Sequence, residues 1–362
     1  MRLLDKIGLK LLFAFDPETA HGLSLRALAS GMPVCAPPIA SQRLAVTIAG
    51  LAFPNPLGIA AGYDKNGEAP DALLRLGFGF AEIGTVTPLP QAGNPKPRIF
   101  RLPEDKGVIN RLGFNNRGHE AALARLRARA GHGGIVGVNI GTNKDSADRI
   151  GDYELGAARF APLASYLTVN ISSPNTPGLR NLQSQESLAE LLARTVAARS
   201  KALAGSGKTT PIFLKIAPDL SDAELAELAE EVLASGIDGL IVSNTTVART
   251  NLKSPQATEA GGLSGTPLFT RSTVVLARMR RLVGPKLPII GAGGVDSAET
   301  ALEKIRAGAD LVQLYSGMIY EGPGLPGRIV AGLDRLAQDN GVRSITELRD
   351  TAVSQWAAKQ LA

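Results

Sequence analysis

Residues 166–183 read YLTVNISSPNTPGLRNLQ, an apolar run that breaks into Asn170, Ser172, Ser173, Asn175 and two prolines. A strand that ends in hydroxyls and carboxamides offers donors and acceptors to a ligand. Prolines fix such an irregular loop and add no N–H in need of a partner. Pro174 and Pro177 lie on either side of Asn175 and would hold Ser173 and Asn175 at set positions. Carboxamides recur at Asn110 and Asn115 in NRLGFNN, at Asn139 after GIVGV, and at Asn244 beside Thr245 in SNTT. Taken singly, an asparagine is an ordinary turn residue. Six of them in strand-end or loop contexts suit a ring whose edge alternates N–H and C=O.

Lys215 lies within the apolar run IFLKIAP, where an unpaired ammonium would cost several kcal/mol. It either snorkels from the strand end or faces a ring that becomes anionic in turnover, as a flavin does. Lys65, in GYDKNG, has a similar placement, with Asp64 next to it as a possible partner. Gly291, Gly293 and Gly294 in LPIIGAGGVDSAET precede a helix whose N-cap is Asp296 or Ser297, and LVQLYSGMIYEG supplies a matching turn. Bare glycine amides before a helix attract phosphate. The segment GSGKTT is no phosphate loop, because Ala202 stands where the first glycine is required and a strand follows.

The elements that must position these groups repeat a theme. The runs LGIAAG, FAEIGTVT, GIVGVNIG, YLTVNISSP, IFLKIAP, GLIVSNTT, LPIIGAGG and LVQLYSG alternate with helix-period segments such as SDAELAELAEEVLASG. Near-continuous apolar runs between amphipathic helices indicate parallel strands covered on both faces, an α/β fold. The count suits a (β/α)8 TIM barrel, although doubly wound sheets share the alternation. In a barrel, the strands' C-terminal ends carry the chemistry, and here those ends hold Lys65, Thr85, Asn139, Asn170, Lys215, Asn244 and Thr245. LAVTIAGLAFPNP alternates as a hairpin that would close the opposite end.

Residues 1–40 form a separate extension, with the barrel expected over 41–362. Leu4, Ile7, Leu11, Leu12 and Phe15 fall near one helical face, and a second amphipathic piece begins at Asp16 as N-cap with Pro17 at the first helical position. The pair either packs on the barrel or lies in a membrane interface, which the apolar stretch from Leu11 to Phe15 and its basic neighbours would suit. The first helix is too short to span a bilayer, which takes about 20 apolar residues. One cysteine, Cys35, excludes internal disulfides and is read as an incidental linker thiol, and three scattered histidines provide no metal site. A net charge of +6 without a lysine block does not point to nucleic acid.

The ordered set AAGYDKNGE, NRLGFNN, NISSPNTPGLRNLQ, KIAPDL, SNTT, GGLSG, GAGGVDS and LVQLYSG closely resembles dihydroorotate dehydrogenases over essentially the whole chain. DPETAHGLSLRAL, together with serine where other classes carry cysteine, resembles the membrane-associated, quinone-reducing class 2 enzymes. The resemblance implies an FMN enzyme that oxidises (S)-dihydroorotate to orotate in pyrimidine biosynthesis. It implies Ser173 as the base that removes the C5 proton while C6 gives up hydride. It further implies substrate contacts at Lys65, Asn110, Arg111, Leu112, Gly113, Phe114, Asn170, Asn175, Asn244 and Thr245. The implied FMN contacts are Ala61, Gly62, Tyr63, Asp64, Lys65, Thr85, Asn139, Asn170, Lys215, Ser243, Gly265, Gly294, Tyr315 and Ser316. Ser243 stands where many relatives have threonine, and Tyr63 where an apolar residue is more usual.

With no iron–sulfur ligands and no dinucleotide fingerprint, electrons must pass from the flavin directly to a diffusible acceptor. The expectation is a membrane quinone reached between the N-terminal helices past His21 and Tyr315, in a monomer at the cytoplasmic side of the cell membrane. Three alternatives compete. A soluble fumarate- or partner-dependent dihydroorotate dehydrogenase would lack the N-terminal pair. A non-flavin phosphate-binding barrel isomerase or lyase would leave Lys215 and the asparagines unexplained. A non-catalytic membrane-surface module would leave the polar strand ends without purpose.

Overall fold

Every one of the eight apolar runs forms a strand. They are β1 (Leu57–Ile59), β2 (Phe80–Val86), β3 (Ile135–Ile140), β4 (Tyr166–Asn170), β5 (Ile212–Ile216), β6 (Gly239–Val242), β7 (Ile289–Ala292) and β8 (Leu311–Leu314). Each is parallel to the next, and β8 returns to pair with β1 (Val312↔Leu57, Leu314↔Ile59), which closes the barrel. The computed structural model describes residues 3–31, 40–176, 178–183 and 185–361. Cys35, Pro177 and nearly all of the proline-rich linker lie outside the described residues.

Strand periodicity fills the barrel in layers. At the N-terminal ends, Phe80, Tyr166 and Phe213 form a chain of edge-on rings, with centroids 6.3 and 5.4 Å apart. Glycines face them: a Cβ on Gly58 would fall 2.3 Å from the Phe80 ring, and one on Gly137 would fall 2.1 Å from Tyr166. Large rings opposite bare backbone give a dense floor. Below it sits the predicted hairpin, Val46–Ile48 paired with Leu51–Phe53, whose turn takes Ala49 and Gly50 at positive φ. Phe53 packs edge-on against Phe80 at 5.2 Å.

Two residues further along the strands the interior turns polar. Buried Glu82 accepts hydrogen bonds from Asn139 Nδ2 (2.8 Å), Tyr166 Oη (3.0 Å) and Gln313 Nε2 (2.7 Å). A carboxylate held by three donors is the arrangement a buried acid requires. This layer is the platform on which the strand ends stand.

Helices between the strands begin and end with the expected capping chemistry. Ser221 and Glu224 form a capping box for the helix Asp222–Ser235, which Gly236 terminates at φ 73°. Ser297, rather than Asp296, caps Ala298–Arg306 by accepting from Thr300 N–H. The rejected GSGKTT segment is a surface loop in which Lys208 donates to the carbonyls of Pro162 and Ala164 (2.9 and 3.0 Å).

Above the barrel mouth lies a three-stranded antiparallel sheet absent from the sequence reading. Gly107–Asn110 forms its centre, between Ile99–Leu102 and Gly262–Gly265. This sheet holds the N-terminal pair, α1 (Leu3–Ala14) and α2 (Pro17–Ala29). Asp16 caps α2 by accepting from Glu18 and Thr19 N–H (3.0 and 3.1 Å). Glu18 then makes a bidentate pair with buried Arg98 (3.0 and 2.7 Å). Arg101 donates to the carbonyls of Phe13 and Phe15 (2.9 and 2.8 Å), which satisfies the C-terminal end of α1.

Candidate active site

The strand ends meet in one hydrogen-bonded network. Tyr153 Oη donates to the Asn170 carbonyl (2.7 Å) and pins the end of β4. Asn170 Nδ2 donates to Thr85 Oγ1 (2.9 Å), which donates to Asn139 Oδ1 (2.6 Å). Asn139 donates on to Glu82, so the platform orients both amides. On the other side Ser172 Oγ donates to Asn170 Oδ1 (3.0 Å) and accepts from Asn244 Nδ2 (2.9 Å). Asn244 Oδ1 accepts from Thr245 N–H (2.8 Å). Each carboxamide has its orientation fixed by its neighbours.

Ser173 sits on the loop that leaves this network. It is buried, and its Oγ accepts from Asn175 N–H at 3.2 Å. Asn175 Nδ2 reaches Asn110 Oδ1 at 3.4 Å, which ties the loop to the antiparallel sheet. Arg180 clamps three strand-end loops together, donating to Ser172 O (3.1 Å), Asp219 Oδ2 (3.0 Å) and Thr245 O (3.3 Å). Gly262 closes over the group: a Cβ there would meet Thr245 Oγ1 at 2.0 Å.

Two lysines supply positive charge. Lys215 is 5% exposed, faces the cavity, and has its pKa lowered by burial, an effect Glu82 opposes. Lys65 donates to Gly62 O (2.9 Å), and its pKa falls to about 8, chiefly through burial and despite the attraction of Glu18 and Asp64. A cavity of about 810 Å³ joins these groups to the turns after β7 and β8 and to the inner faces of α1 and α2. Ala61, Gly62, Tyr63, Leu112, Gly113, Phe114, Ser243, Gly265, Gly294, Tyr315 and Ser316 all line it, as do Lys65, Thr85, Asn110, Asn170, Ser173, Asn175, Lys215, Asn244 and Thr245.

Asp64, Arg111, Asn115 and Asn139, all singled out from the sequence, do not line the cavity. Asp64 turns away from Lys65: its buried carboxylate accepts from the backbone N–H groups of Glu68 and Ala69 (both 2.8 Å) and braces the loop. Arg111 points to the outer side of the sheet, pairing with Glu259 (2.6 Å) and lying over the Phe100 ring. Asn139 lies one layer down, beneath Thr85. Among the lining residues not singled out beforehand are Ser264, whose Oγ meets Ser316 Oγ at 2.7 Å, and Gln313. Gln313 and Glu82 carry the same mark as Lys215, a polar side chain inside an apolar run.

The family model described as dihydroorotate dehydrogenase matches residues 43–336. The chain belongs to the dihydroorotate dehydrogenase family. It is 67% identical over 362 residues, the full length of both chains, to the dihydroorotate dehydrogenase (quinone) of Mesorhizobium japonicum. The corresponding protein of Chelativorans sp. is 63% identical over 362 residues, again the full length of both. Among solved structures, a dihydroorotate dehydrogenase from Eimeria tenella in complex with ferulenol superposes with a TM-score of 0.87 at 39% identity, covering 93% of this chain and 95% of that one.

In this dihydroorotate dehydrogenase fold the cavity continues outward between α1, α2 and the barrel. At the junction three rings interlock: His21 and Tyr63 with centroids 5.2 Å apart, Tyr63 and Tyr315 5.5 Å, both edge-on. His21 therefore lies on the cavity wall and not on the outer surface. Its pKa drops to about 3, through burial first and then the charge of Lys65, so the imidazole is neutral. The Tyr63 hydroxyl pairs with Ser24 Oγ at 3.1 Å and is pushed up to about 12 by burial. At the outer mouth of the cavity Leu11, Phe15 and Leu23 line it and are exposed to solvent, with exposed Lys10 next to Leu11. Among the described residues no helix is long and apolar enough to cross a membrane.

Proposed function

We propose that this protein is a quinone-dependent dihydroorotate dehydrogenase that oxidises (S)-dihydroorotate to orotate in pyrimidine biosynthesis, with FMN as its cofactor and a membrane quinone as acceptor. One observation carries the reading: a single cavity runs from Ser173 and Lys65, past Lys215, to an apolar passage walled by the N-terminal helices.

The cavity walls fit FMN. Lys215 presents a desolvated ammonium that an electron-rich ring would compensate. Gly265 and Gly294 have φ of 90° and 76°, and a Cβ on either would collide with backbone, at Lys106 O and Phe269 respectively. Bare amides at such turns suit a phosphate. Thr85, Asn170, Lys215 and Ser243 would hold the ring, while Gly265, Gly294 and Ser316 would hold the phosphate. Asn139 and Asp64 act from behind, by fixing Thr85 and the Lys65 loop. When bound, FMN accepts a hydride from the substrate carbon and yields the electrons to a second substrate.

The chain's own groups supply the rest. Lys65 binds the substrate carboxylate, and Asn110, Asn170, Asn175 and Asn244 pair with the edge of the pyrimidine. Ser173 Oγ takes the proton from C5 and passes its own hydroxyl proton to solvent water, as hydride leaves C6 and the C5=C6 double bond forms. Asn175 N–H, already directed at that oxygen, favours its anionic form. Lys215 stabilises negative charge that develops on the ring.

Residues 1–40 form the quinone-access and membrane-contact part and 41–362 the FMN-binding barrel. The protein works as a monomer at the cytoplasmic side of the cell membrane, with Leu11, Phe15 and Leu23 entering the interface. Their exposure beside a basic residue supports this placement. Reoxidation of the dihydroorotate-reduced protein separates acceptors: quinone should reoxidise it rapidly and fumarate should not. Faster reoxidation by fumarate would overturn the quinone assignment.

A further inference from the structure

Behind the turn that follows β7 lies a lysine with no contact to solvent. Lys304, in the helix Ala298–Arg306, is 0% exposed. Its ammonium donates to Ser272 Oγ at 2.6 Å and lies 5.3 Å from the centroid of the Phe269 ring. Ser272 Oγ in turn has the carbonyls of Leu268 and Gly293 within reach, at 2.9 and 3.1 Å. Phe269 backs directly onto the next residue of the turn, since a Cβ on Gly294 would fall 2.5 Å from Phe269 Cα. Lys304, Ser272 and Phe269 thus form the underside of the turn whose upper side lines the cavity.

The Ser272 hydroxyl and the Phe269 ring are neutral and offset only part of this charge. Among the described residues no carboxylate pairs with Lys304, and burial alone depresses its pKa. An isolated ammonium in such a place is costly, and a methionine would fill the same space without the penalty. Lys304 stands in the last turn of its own helix, whose negative end favours a cation, while the positive end of the helix Phe269–Val283 opposes it. A buried cation beneath an anion-binding turn is balanced when the anion arrives.

We propose that Lys304 is a positioning residue for the cofactor's phosphate: its charge, relayed through Ser272 to the backbone of Gly293, favours a dianion in the turn after β7. The inference rests on the reading of that turn as the FMN phosphate site. Shielded from solvent, such a charge contributes on the order of ten-fold or more to the affinity for a nearby dianion.

The test uses the full-length protein stripped of flavin and titrated with FMN or with riboflavin, which lacks the phosphate, followed by flavin fluorescence. A wild-type preference for FMN establishes that the phosphate is bound, independently of Lys304. Lys304→Met should then lose roughly ten-fold or more of its FMN affinity and keep its riboflavin affinity. Equal losses for both flavins, or no loss for FMN, would overturn the proposal. A wild type that binds both flavins equally would remove the phosphate site itself and the proposal with it. A second measurement needs no variant: phosphorus NMR of the wild-type holoenzyme should show the bound phosphate dianionic well below pH ~6, where a free monoester gains its second proton. Titration at the free value would contradict the role of Lys304.

Discussion

Lys65 must be protonated to hold a carboxylate, and burial has brought its pKa down to about 8. Its charge is therefore present at neutral pH and lost as pH rises through that value. Accordingly, kcat/KM for dihydroorotate should fall above pH ~8, approaching ten-fold per unit, and Lys65→Met should abolish this basic limb along with most of the activity. A wild-type profile that stays level through this range would exclude Lys65 as the carboxylate's partner. Lys215→Met should retain flavin and slow its reduction by roughly a hundred-fold, as loss of a donor to developing charge does. Single-turnover reduction at the wild-type rate would refute that role. The place of Lys215 on the cavity was legible in the sequence because it interrupts an apolar run, and a polar group there needs a reason; Ser173 was marked out by the resemblance, the residues alone showing only that its strand ends in small polar groups. Asp64 was not, since adjacency to Lys65 along the chain says nothing of direction, and the loop spends its carboxylate on the amides of Glu68 and Ala69. Arg111 was misplaced for the same reason: alternation along Gly107–Asn110 and the pull of Glu259 carry it to the outer side of the sheet.

The N-terminal pair is held to the barrel by two arginines on one strand and its flank. Arg98 grips Glu18, and Arg101 caps the carbonyl end of α1. Because α1 and α2 wall only the outer part of the cavity, their removal should separate the two half-reactions. Deletion of residues 1–40 should leave reduction by dihydroorotate within a few-fold of wild type, while reoxidation by a long-chain quinone falls at least ~10-fold and liposome co-sedimentation is lost. Unchanged quinone reoxidation would detach the helices from electron transfer. At this scale the sequence was clear wherever period and length agreed, as in all eight strands, both N-terminal helices and the hairpin. The antiparallel sheet at the mouth escaped because IFRL, GVIN and GLSG have only four residues each and no long apolar run. Its pairing is decided by contacts between residues 107–110 and 262–265, which no local pattern announces.

For the whole molecule the arrangement is vertical: a hairpin plug, a floor of rings against glycines, a polar platform around Glu82, a network of carboxamides, and an apolar passage above. Each layer fixes the one over it, so the chemistry stands on strand ends whose positions the closed barrel determines. The common architecture with the Eimeria tenella enzyme fits that logic, since 39% identity preserves the frame at a TM-score of 0.87. The central claim is that the cavity at the strand ends brings substrate, flavin and Ser173 together. The direct measurement is anaerobic stopped-flow mixing of the flavin-loaded protein with dihydroorotate, following the visible flavin absorbance in wild type and in Ser173→Ala. Wild type should bleach in a single turnover, and the variant should bind flavin normally yet bleach at least ~100-fold more slowly. Equal bleaching in both, or a wild type that takes up no flavin and stays colourless, would contradict the account.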